Sequence, residues 1–412
     1  MEKTLACRFC GSPLEHTFVD LGVSPLANSY LTEEQLNQME PFFPLKAFVC
    51  GSCFLVQLPV YESPERIFGE YAYFSSYSES WLDHARNYTD MMLERFPVGI
   101  GRLVIEIASN DGYLLRYFRE RGINVQGIEP AKNVAIAAQK AGIPTLVEFF
   151  GAELANRLVR EGKKADLLIG NNVLAHVPNL NDFVAGMKTV LAPSGIITME
   201  FPHVMRLIDE NQFDTIYHEH FSYFSLITVE KVFSSHGLVL FDVEELPTHG
   251  GSLRIYSRNA EDASKPVNAR VTDLLAREQA YGLKDLDFYR SYGSRVKEKK
   301  REILEFLIRL KREGKTIAGY GAPAKGNTLL NYCGIRTDFI DYTVDRNPHK
   351  QGCYLPGSQI PVLSPEKVRE TKPDYLLILP WNLKAEIMEQ MRHIREWGGR
   401  FAVLIPEIEV FP

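Results

Sequence analysis

The sequence predicts an α/β protein in three parts: a small cysteine-rich N-terminal module, a central domain with a parallel sheet, and a smaller doubly wound α/β domain at the C-terminus. Two Cys-x-x-Cys pairs lie within residues 1–53. Apolar strand-like runs alternate with helical stretches between residues 102 and 258, and a second alternation starts at residue 315. Alternation of this kind is typical of parallel sheets covered by helices on both faces.

Length and charge limit the class of protein. A chain of 412 residues is too long for one hydrophobic core and is expected to form two or three domains. Its formal net charge of −6 argues against a nucleic-acid partner, which requires a basic surface. The first residues do not resemble a signal peptide, and no run approaches the about 18 apolar residues that span a membrane. We therefore expect a cytoplasmic protein with no nucleic-acid or membrane partner, and the oligomeric state stays open.

The paired cysteines predict a zinc site. Cys7 and Cys10 form one pair, and Cys50 and Cys53 form the other. Two residues between thiolates allow both sulfurs to face one ion, and two such pairs complete a tetrahedral site. Four protein ligands leave no open position, so the zinc is expected to be structural.

The alternating regions set the predicted domain boundaries. Residues 1–70 form the cysteine-rich module, 71–265 the central domain, 266–313 a helical linker and 314–412 the C-terminal domain. The predicted central strands are Leu103–Ile107, Val125–Ile128, Asp166–Ile169, Gly195–Glu200 and Leu253–Ser257. Residues 268–313 are predicted to be helical throughout. The predicted C-terminal strands are Lys315–Tyr320, Phe339–Val344, Tyr375–Leu379 and Phe401–Ile405.

A ligand-binding turn follows the first central strand. The strand Leu103–Ile107 runs into the small-residue turn Ala108–Gly112 and then a helix predicted over Tyr113–Glu120. Such a turn brings backbone close to a ligand at the edge of the sheet where α/β proteins bind their ligands. The second strand ends at Glu129, whose carboxylate can accept both hydroxyls of a ribose. Many doubly wound folds carry a similar turn, so this motif alone is not specific.

A short polar and aromatic segment beyond the fifth strand gathers reactive side chains. Residues 211–225 include Tyr217, Glu219 and His220 among further aromatic and hydroxyl groups. Together these residue types supply a base, an acid and hydrogen-bond donors. The spacing is not the H-E-x-x-H of zinc peptidases, so it does not indicate a catalytic metal. The aromatic density favours a pocket wall over a solvated loop.

Several motifs occur in one order and carry a family resemblance. They are the two cysteine pairs, Glu106–Gly112, Asn172–Pro178, Tyr217–His220, His249–Arg254 and Tyr320–Lys325. In this order they resemble the S-adenosylmethionine-dependent sugar C-methyltransferases that include the dTDP-keto-deoxysugar 3-C-methyltransferases. The resemblance covers essentially the whole chain. It implies an N-terminal zinc module, a central class I methyltransferase (Rossmann-like) domain and a C-terminal Rossmann-like domain.

The resemblance also implies cofactors, a substrate and residue roles. The cofactors are S-adenosylmethionine and structural zinc, and the substrate is a nucleotide-linked sugar. His220 resembles the general base, Tyr217 a nearby acid or donor, and His176 and Glu219 supporting residues. The residues expected to bind the cofactor are Glu106, Ala108, Asn110, Asp111, Gly112, Glu129, Phe149, Phe150, Asn171 and Asn172. Those expected to bind the substrate are Tyr71, Tyr73, Ser75, Ser76, His249, Gly250, Arg254 and Lys325.

Three positions depart from the family pattern. Ala108 and Asn110 stand where many members have glycine, and His218 stands where relatives can have aspartate. Alanine is small enough to preserve a close approach of ligand and backbone. We assign His218 no role.

The predicted reaction is methylation of a carbon beside a ketone. His220 would remove the proton there, the charge would spread onto the ketone oxygen, and the cofactor would deliver the methyl group. Methylation at oxygen or nitrogen remains an alternative, because a hydroxyl acceptor also needs a base. A nicotinamide-dependent oxidoreductase is another, because the turn Gly319–Thr328 follows a strand and opens a helix. A noncatalytic zinc scaffold would leave the cluster at Tyr217–His220 unexplained.

Overall fold

The N-terminal part is a small antiparallel sheet next to the cysteine pairs. The computed structural model describes residues 5–69, 75–77 and 79–412. The first elements are β1 (His16–Ser24), β2 (Phe43–Val49), β3 (Val56–Gln57) and α1 (Pro64–Phe68). Strand β2 pairs antiparallel with both β1 and β3. Throughout the described ranges, we find no helix with the length and apolar character needed to cross a membrane.

The central part is built on a seven-stranded sheet. Its elements are α2 (Glu79–Arg95), β4 (Leu103–Ile107), α3 (Leu115–Glu120), β5 (Asn124–Ile128), α4 (Lys132–Lys140), β6 (Thr145–Leu146), α5 (Ala152–Arg160), β7 (Ala165–Asn171), α6 (Leu180–Val190), β8 (Leu191–Pro202), α7 (Val204–Asp209), β9 (Ser222–Tyr223), α8 (Leu226–Ser234), β10 (Leu238–Leu246) and β11 (Ser252–Asn259). The strand order is β10-β11-β8-β7-β4-β5-β6. Strands β4 to β8 pair in parallel, whereas β11 runs antiparallel to both neighbours. Strand β9 leaves this sheet and pairs with β3 of the N-terminal part.

The predicted central strands are all present within observed ones, and β4 has the predicted bounds. The helix predicted from Tyr113 begins two residues later, at Leu115. The structure adds β6, β9 and β10, which the sequence pattern did not indicate.

The prediction of unbroken helix over residues 268–313 is wrong. The chain forms α9 (Ala269–Tyr281) and α10 (Leu286–Arg312), separated by a short turn. Gly282 ends α9 with φ of 110°, a conformation that favours glycine, and a Cβ there would lie 2.9 Å from the ring of Phe288. Asp285 then caps α10 by accepting from the backbone N–H of Asp287.

The C-terminal part is a second doubly wound domain. Its elements are β12 (Ile317–Tyr320), α11 (Ala324–Cys333), β13 (Thr343–Val344), β14 (Val362–Leu363), α12 (Lys367–Thr371), β15 (Tyr375–Ile378), α13 (Lys384–Gln390), β16 (Arg400–Val403) and β17 (Glu409–Phe411). The order is β14-β13-β12-β15-β16-β17, parallel except for β17. The strand predicted from Phe339 starts only at Thr343, because residues 336–340 form a hydrogen-bonded turn. The strand order reverses between β12 and β15, where ligands bind in such folds.

The three parts share packing rather than standing apart. Buried side chains of β1, β2, α10 and the C-terminal sheet belong to one continuous hydrophobic core. Asn327 on α11 donates from Nδ2 to the carbonyl of Ala27 over 2.6 Å. Thr328 donates from its hydroxyl to the carbonyl of Ile216 over 3.1 Å. These contacts bring the C-terminal domain against both the N-terminal module and the segment that carries His220.

Candidate active site and metal centre

The four paired cysteines converge on one point. Their sulfurs all lie within 4.8 Å of one another. Cys7 Sγ and Cys53 Sγ are 3.6 Å apart, and Cys10 Sγ and Cys50 Sγ are 3.5 Å apart. Sulfurs bound at 2.3 Å to a tetrahedral zinc are separated by roughly 3.8 Å, so the spacing fits this metal. Gln57 donates from Nε2 to Cys7 Sγ over 3.2 Å and so orients this ligand.

The turn after β4 has the backbone conformation of a glycine-rich loop even where glycine is absent. Ala108 and Asn110 have φ of 56° and 49°, and Gly112 has φ of 78°. Positive φ is unusual for alanine, so the fold holds this residue in a strained conformation. A Cβ on Gly112 would lie 2.7 Å from Ile143, so this position also lacks room for a side chain.

Glu129 is held in place by the backbone around it. Its Oε2 accepts from the N–H of Asn110 and its Oε1 from the N–H of Ala131, each over 2.9 Å. Burial raises the pKa of Glu129, although both hydrogen bonds oppose that shift. Each carboxylate oxygen retains a lone pair for a ligand hydroxyl. Its position at the end of β5 therefore fits the predicted role in binding a ribose.

Two more carboxyl groups lie at the same turn. Glu106 is buried, and neither of its carboxylate oxygens has a hydrogen-bond partner among the described residues, nor does Oδ1 of Asp111. Burial, with the nearby charges of Asp111 and Glu129, raises the pKa of Glu106 well above its usual value. S-adenosylmethionine carries a sulfonium, an ammonium and ribose hydroxyls. These unsatisfied oxygens therefore suit its hydrogen-bond donors, and a cationic group beside them would favour the ionised carboxylates.

The remaining predicted cofactor residues lie on neighbouring loops. Asn171 ends β7 and Asn172 follows with φ of 55°, and both lie beside the carboxyl end of β4. Phe149 is 43% exposed, as a flat stacking surface would be before a ligand covers it. Phe150 packs edge to face on Phe183, with ring centroids 5.4 Å apart, which places it against the core.

Ser75 and Ser76 lie directly on the cofactor turn. The backbone N–H of Ser75 donates to Asn110 Oδ1 over 2.9 Å, and that of Ser76 donates to Asp111 Oδ2 over 3.1 Å. Both serines, which are predicted to bind the substrate, therefore contact residues that are predicted to bind the cofactor. Tyr71 and Tyr73 lie outside the described residues.

His220 is buried with its hydrogen-bonding pattern fixed. Its Nδ1 lies 2.8 Å from the carbonyl oxygen of Thr215, which can only accept, so Nδ1 carries the proton and Nε2 the lone pair. Burial, followed by the influence of His176, His249 and Lys325, lowers the pKa of His220 well below its usual value. The imidazole is therefore neutral and able to accept a proton at neutral pH.

Two further rings surround His220. The ring centroid of Tyr217 lies 4.1 Å from that of His220. The ring centroid of His176 lies 4.8 Å from it, with an angle of 63° between the ring planes. His176 donates from Nδ1 to the carbonyl of Glu219 over 2.8 Å, and burial lowers its pKa to about 4. The predicted base, donor and supporting histidine thus form one cluster.

The carboxylate of Glu219 faces the domain junction. Its Oε1 accepts from Nδ2 of Asn28, a residue of the N-terminal module, over 2.6 Å. Burial raises the pKa of Glu219 to about 7, while Asn28 and the charge of Lys350 act in the opposite direction. Glu219 thus contributes its backbone carbonyl to the histidine cluster and its side chain to the junction.

The remaining predicted substrate residues differ in what they contact. Lys325 extends from the C-terminal domain so that its charge influences the pKa of both His220 and His249. Gly250 follows His249 in the same loop. Arg254 instead forms a buried ion pair with Glu200, at 3.0 Å, so its guanidinium is already engaged within the protein.

Several residues at the site have no counterpart in the sequence-based prediction. Glu200 also accepts from His84 over 3.0 Å and from the Thr248 hydroxyl over 2.8 Å. Burial raises the pKa of Glu200, but the hydrogen bond from His84 and the charge of Arg254 outweigh it and bring the pKa to about 2. Trp381 of the C-terminal domain donates to Asp214, and Asn28 of the N-terminal module donates to Glu219. No spacing motif marks these residues, because they come from distant segments.

The fold and the turn after β4 define an S-adenosylmethionine-dependent methyltransferase of class I. Residues 85–243 match a family described as "Methyltransferase domain". Residues 7–68 match "Putative zinc binding domain", and residues 247–406 match "C-methyltransferase C-terminal domain". The C-methyltransferase NovU of Streptomyces niveus is 39% identical over 404 residues, which cover 98% of this chain and 96% of that protein. The chain therefore belongs to the C-methyltransferase family, with zinc and S-adenosylmethionine as its cofactors.

More distant similarities are confined to part of the chain. An uncharacterized methyltransferase of Mycobacterium leprae is 26% identical over 102 residues, 25% of this chain and 38% of that protein. The structure of an S-adenosylmethionine-dependent methyltransferase from Mesorhizobium loti has 14% identity and a TM-score of 0.35, covering 43% of this chain and all of its own. The CcbJ methyltransferase of Streptomyces caelestis has 12% identity and a TM-score of 0.35, covering 43% of this chain and 89% of that protein.

The family assignment bears on the alternatives. The turn at Gly319–Thr328, which suggested a nicotinamide enzyme, lies within the match to the C-methyltransferase C-terminal domain. Membership of a C-methyltransferase family supports carbon over oxygen or nitrogen as the methyl acceptor. An enzyme, rather than a noncatalytic zinc scaffold, accounts for the histidine cluster.

Proposed function

We propose that this protein methylates a carbon beside the ketone of a nucleotide-linked 4-keto-deoxysugar, with dTDP as the nucleotide carrier. Membership of the C-methyltransferase family supplies the reaction class. The sugar substrate follows from the motif resemblance and from a site that combines a neutral base with a nearby positive charge.

The observation that carries the mechanism is the hydrogen bond from His220 to Thr215. It fixes the tautomer in which Nε2 is the proton acceptor. A C–H beside a ketone is acidic because the resulting negative charge spreads onto oxygen. A neutral imidazole held against that carbon can remove the proton, and its buried position keeps it neutral.

Groups next to His220 stabilise the negative charges of the reaction and of the substrate. Tyr217 lies against the His220 ring, and we assign its hydroxyl as the hydrogen-bond donor to the ketone oxygen. Lys325 brings a positive charge into the same site, which suits the anionic part of a nucleotide-sugar. His176 is a second neutral imidazole beside His220, and we assign it the supporting role that the motif resemblance implies.

The cofactor region holds the second reactant. Glu129 is oriented by two backbone amides for ribose hydroxyls, and the acceptors of Glu106 and Asp111 suit the cationic groups. Bound S-adenosylmethionine supplies an electrophilic methyl group. The chain's own task is to hold that group and the substrate carbon in line and to exclude water.

A substrate panel tests this proposal. Purified protein is incubated with methyl-labelled S-adenosylmethionine and a series of dTDP-4-keto-deoxysugars, and the products are analysed by mass spectrometry and carbon NMR. We expect a new carbon–carbon bond next to the ketone in at least one sugar. Methyl transfer only to oxygen or nitrogen, or to a non-sugar acceptor alone, would overturn it.

A further inference from the structure

Trp381 contacts three separate segments of the active site. It lies just beyond β15, at the point where the strand order of the C-terminal sheet reverses, and it is 6% exposed. Its indole N–H donates to Asp214 Oδ2 over 2.7 Å. Lys325 Nζ lies 4.5 Å from the ring centroid. The ring edge is packed on Gly250, where an added Cβ would lie 2.4 Å from Cη2.

Each contact leads to a residue of the reaction centre. Asp214 immediately precedes Thr215, whose carbonyl fixes the tautomer of His220. Gly250, with φ of 91°, immediately follows His249. The third contact is Lys325 itself. One indole from the C-terminal domain therefore meets the base segment, the His249 loop and the lysine at once.

The bond to Asp214 is costly to lose. Asp214 is fully buried, and its other oxygen, Oδ1, has no hydrogen-bond partner among the described side chains and backbone. Burial raises the pKa of Asp214 to about 6, and the charge of Lys325 and the hydrogen bond from Trp381 act against that shift. Without the indole N–H, this carboxylate would have to move or take up a proton, and a movement would displace the adjoining backbone of Thr215.

We propose that Trp381 is a positioning residue, through which the C-terminal domain orients His220 by way of Asp214. This role deepens the proposed function, in which His220 is the base. A shift of about 1 Å at a reacting group can lower a rate about a hundredfold, so a contact at this distance from the chemistry can still govern turnover. The role also gives the C-terminal domain a part in catalysis beyond holding substrate.

The test is a double-mutant cycle with Trp381→Phe and Asp214→Ala. Trp397→Phe is the matched control, because Trp397 is in the same domain and its indole N–H donates to the carbonyl of Pro373 over 3.1 Å. The first readout is the NMR signal of the His220 imidazole in protein saturated with S-adenosylhomocysteine, assigned by comparison with His220→Asn. The second readout is kcat and KM on any sugar that is methylated. Asp214→Asn is the conservative variant, because it keeps an acceptor oxygen for the indole.

We expect Trp381→Phe and Asp214→Ala each to shift the His220 signal and to lower kcat by about tenfold to a hundredfold, with S-adenosylhomocysteine affinity unchanged. The double variant should be no worse than the more impaired single variant, because both substitutions remove the same hydrogen bond. Asp214→Asn should retain most of the wild-type signal. If Trp381→Phe does not fold, the comparison of Asp214→Ala with Asp214→Asn tests the acceptor of the indole N–H, and equal shifts of the His220 signal in the two variants would overturn the proposal.

A His220 signal in Trp381→Phe as close to wild type as in Trp397→Phe would overturn the proposal, as would fully additive effects. The signal reports the position of His220 whether or not it is the base. Failure of this inference is therefore distinguishable from failure of the proposed function.

Discussion

The imidazole rings of His176 and His220 meet at 63°, with their centroids 4.8 Å apart. Each donates its Nδ1–H to a backbone carbonyl, at Glu219 and Thr215 respectively. Two protonated rings at this distance would repel each other, and burial disfavours even one charge. The pair is therefore a neutral unit with both Nε2 atoms as acceptors, and the predictions below begin from that state.

The first prediction concerns the protonation of this pair. Since the pKa of His220 is well below its usual value and that of His176 is about 4, neither ring should titrate between about pH 8 and pH 6. Histidine NMR across this range, with signals assigned by single Asn variants, measures it. A midpoint near the ordinary histidine value for His220 would show that the ring is solvated and not buried as described.

The second prediction concerns Glu219 and stability. Its pKa of about 7 in the folded protein lies above the ordinary glutamate value. The folded state therefore holds this proton more tightly, and the associated stability is present at low pH and lost as the pH rises from about 4.5 to 7. At about 1.4 kcal/mol per unit of pKa, the loss amounts to about 3.5 kcal/mol at most.

Chemical denaturation of wild type and Glu219→Gln at several pH values measures this effect. The stability of wild type relative to the variant should fall between about pH 4.5 and 7 and then level off. A difference that stays constant with pH would mean that Glu219 ionises as it does in the unfolded chain.

The third prediction concerns cofactor binding. Glu129→Ala removes the acceptor for both backbone amides and for the ribose, so calorimetry should show S-adenosylmethionine bound more weakly by roughly 1.5–3 kcal/mol. Glu129→Gln, which keeps one acceptor oxygen, should lose less. Glu161→Gln serves as the control, because this exposed residue lies at the end of α5. Equal affinity in Glu129→Ala and wild type would place the cofactor elsewhere.

The fourth prediction concerns the metal. Elemental analysis should find about one zinc per chain, as four sulfur ligands require. Cys10→Ser should lose zinc and lower the melting temperature more than it changes the chemical step. Cys353→Ser is the matched control, because that cysteine lies outside the cluster. Zinc-free protein with wild-type stability would rule out a structural metal.

The cysteine pairs and the strand–turn–helix pattern at β4 are accessible from sequence because each is local. Cys-x-x-Cys spacing fixes two ligands at a time, and the β4 strand was predicted with its observed bounds. The sequence pattern does not predict the break between α9 and α10, although Gly282 marks it. The apolar pattern of α10 predicts one continuous helix over residues 268–313, whereas the structure has two.

Residues that act across domains could not be predicted in the same way. Asn28, Glu200 and Trp381 each reach the site from a segment distant in sequence, and nothing in their local pattern indicates a partner. The motif around Arg254 predicts a contact with the substrate, and in the structure its guanidinium pairs with Glu200. Long-range hydrogen bonds depend on tertiary packing, which a single sequence does not show.

The central claim is that His220 removes the proton beside the ketone. The direct measurement is exchange of that proton with deuterated water, followed by NMR in wild type and His220→Asn with a sugar substrate identified from the panel. The variant should keep its fold and cofactor affinity while both exchange and methyl transfer slow by about 10²–10⁴-fold, the usual contribution of a general base. Exchange and turnover near wild-type rates in His220→Asn would contradict the account, and His176 would then be the next residue to test.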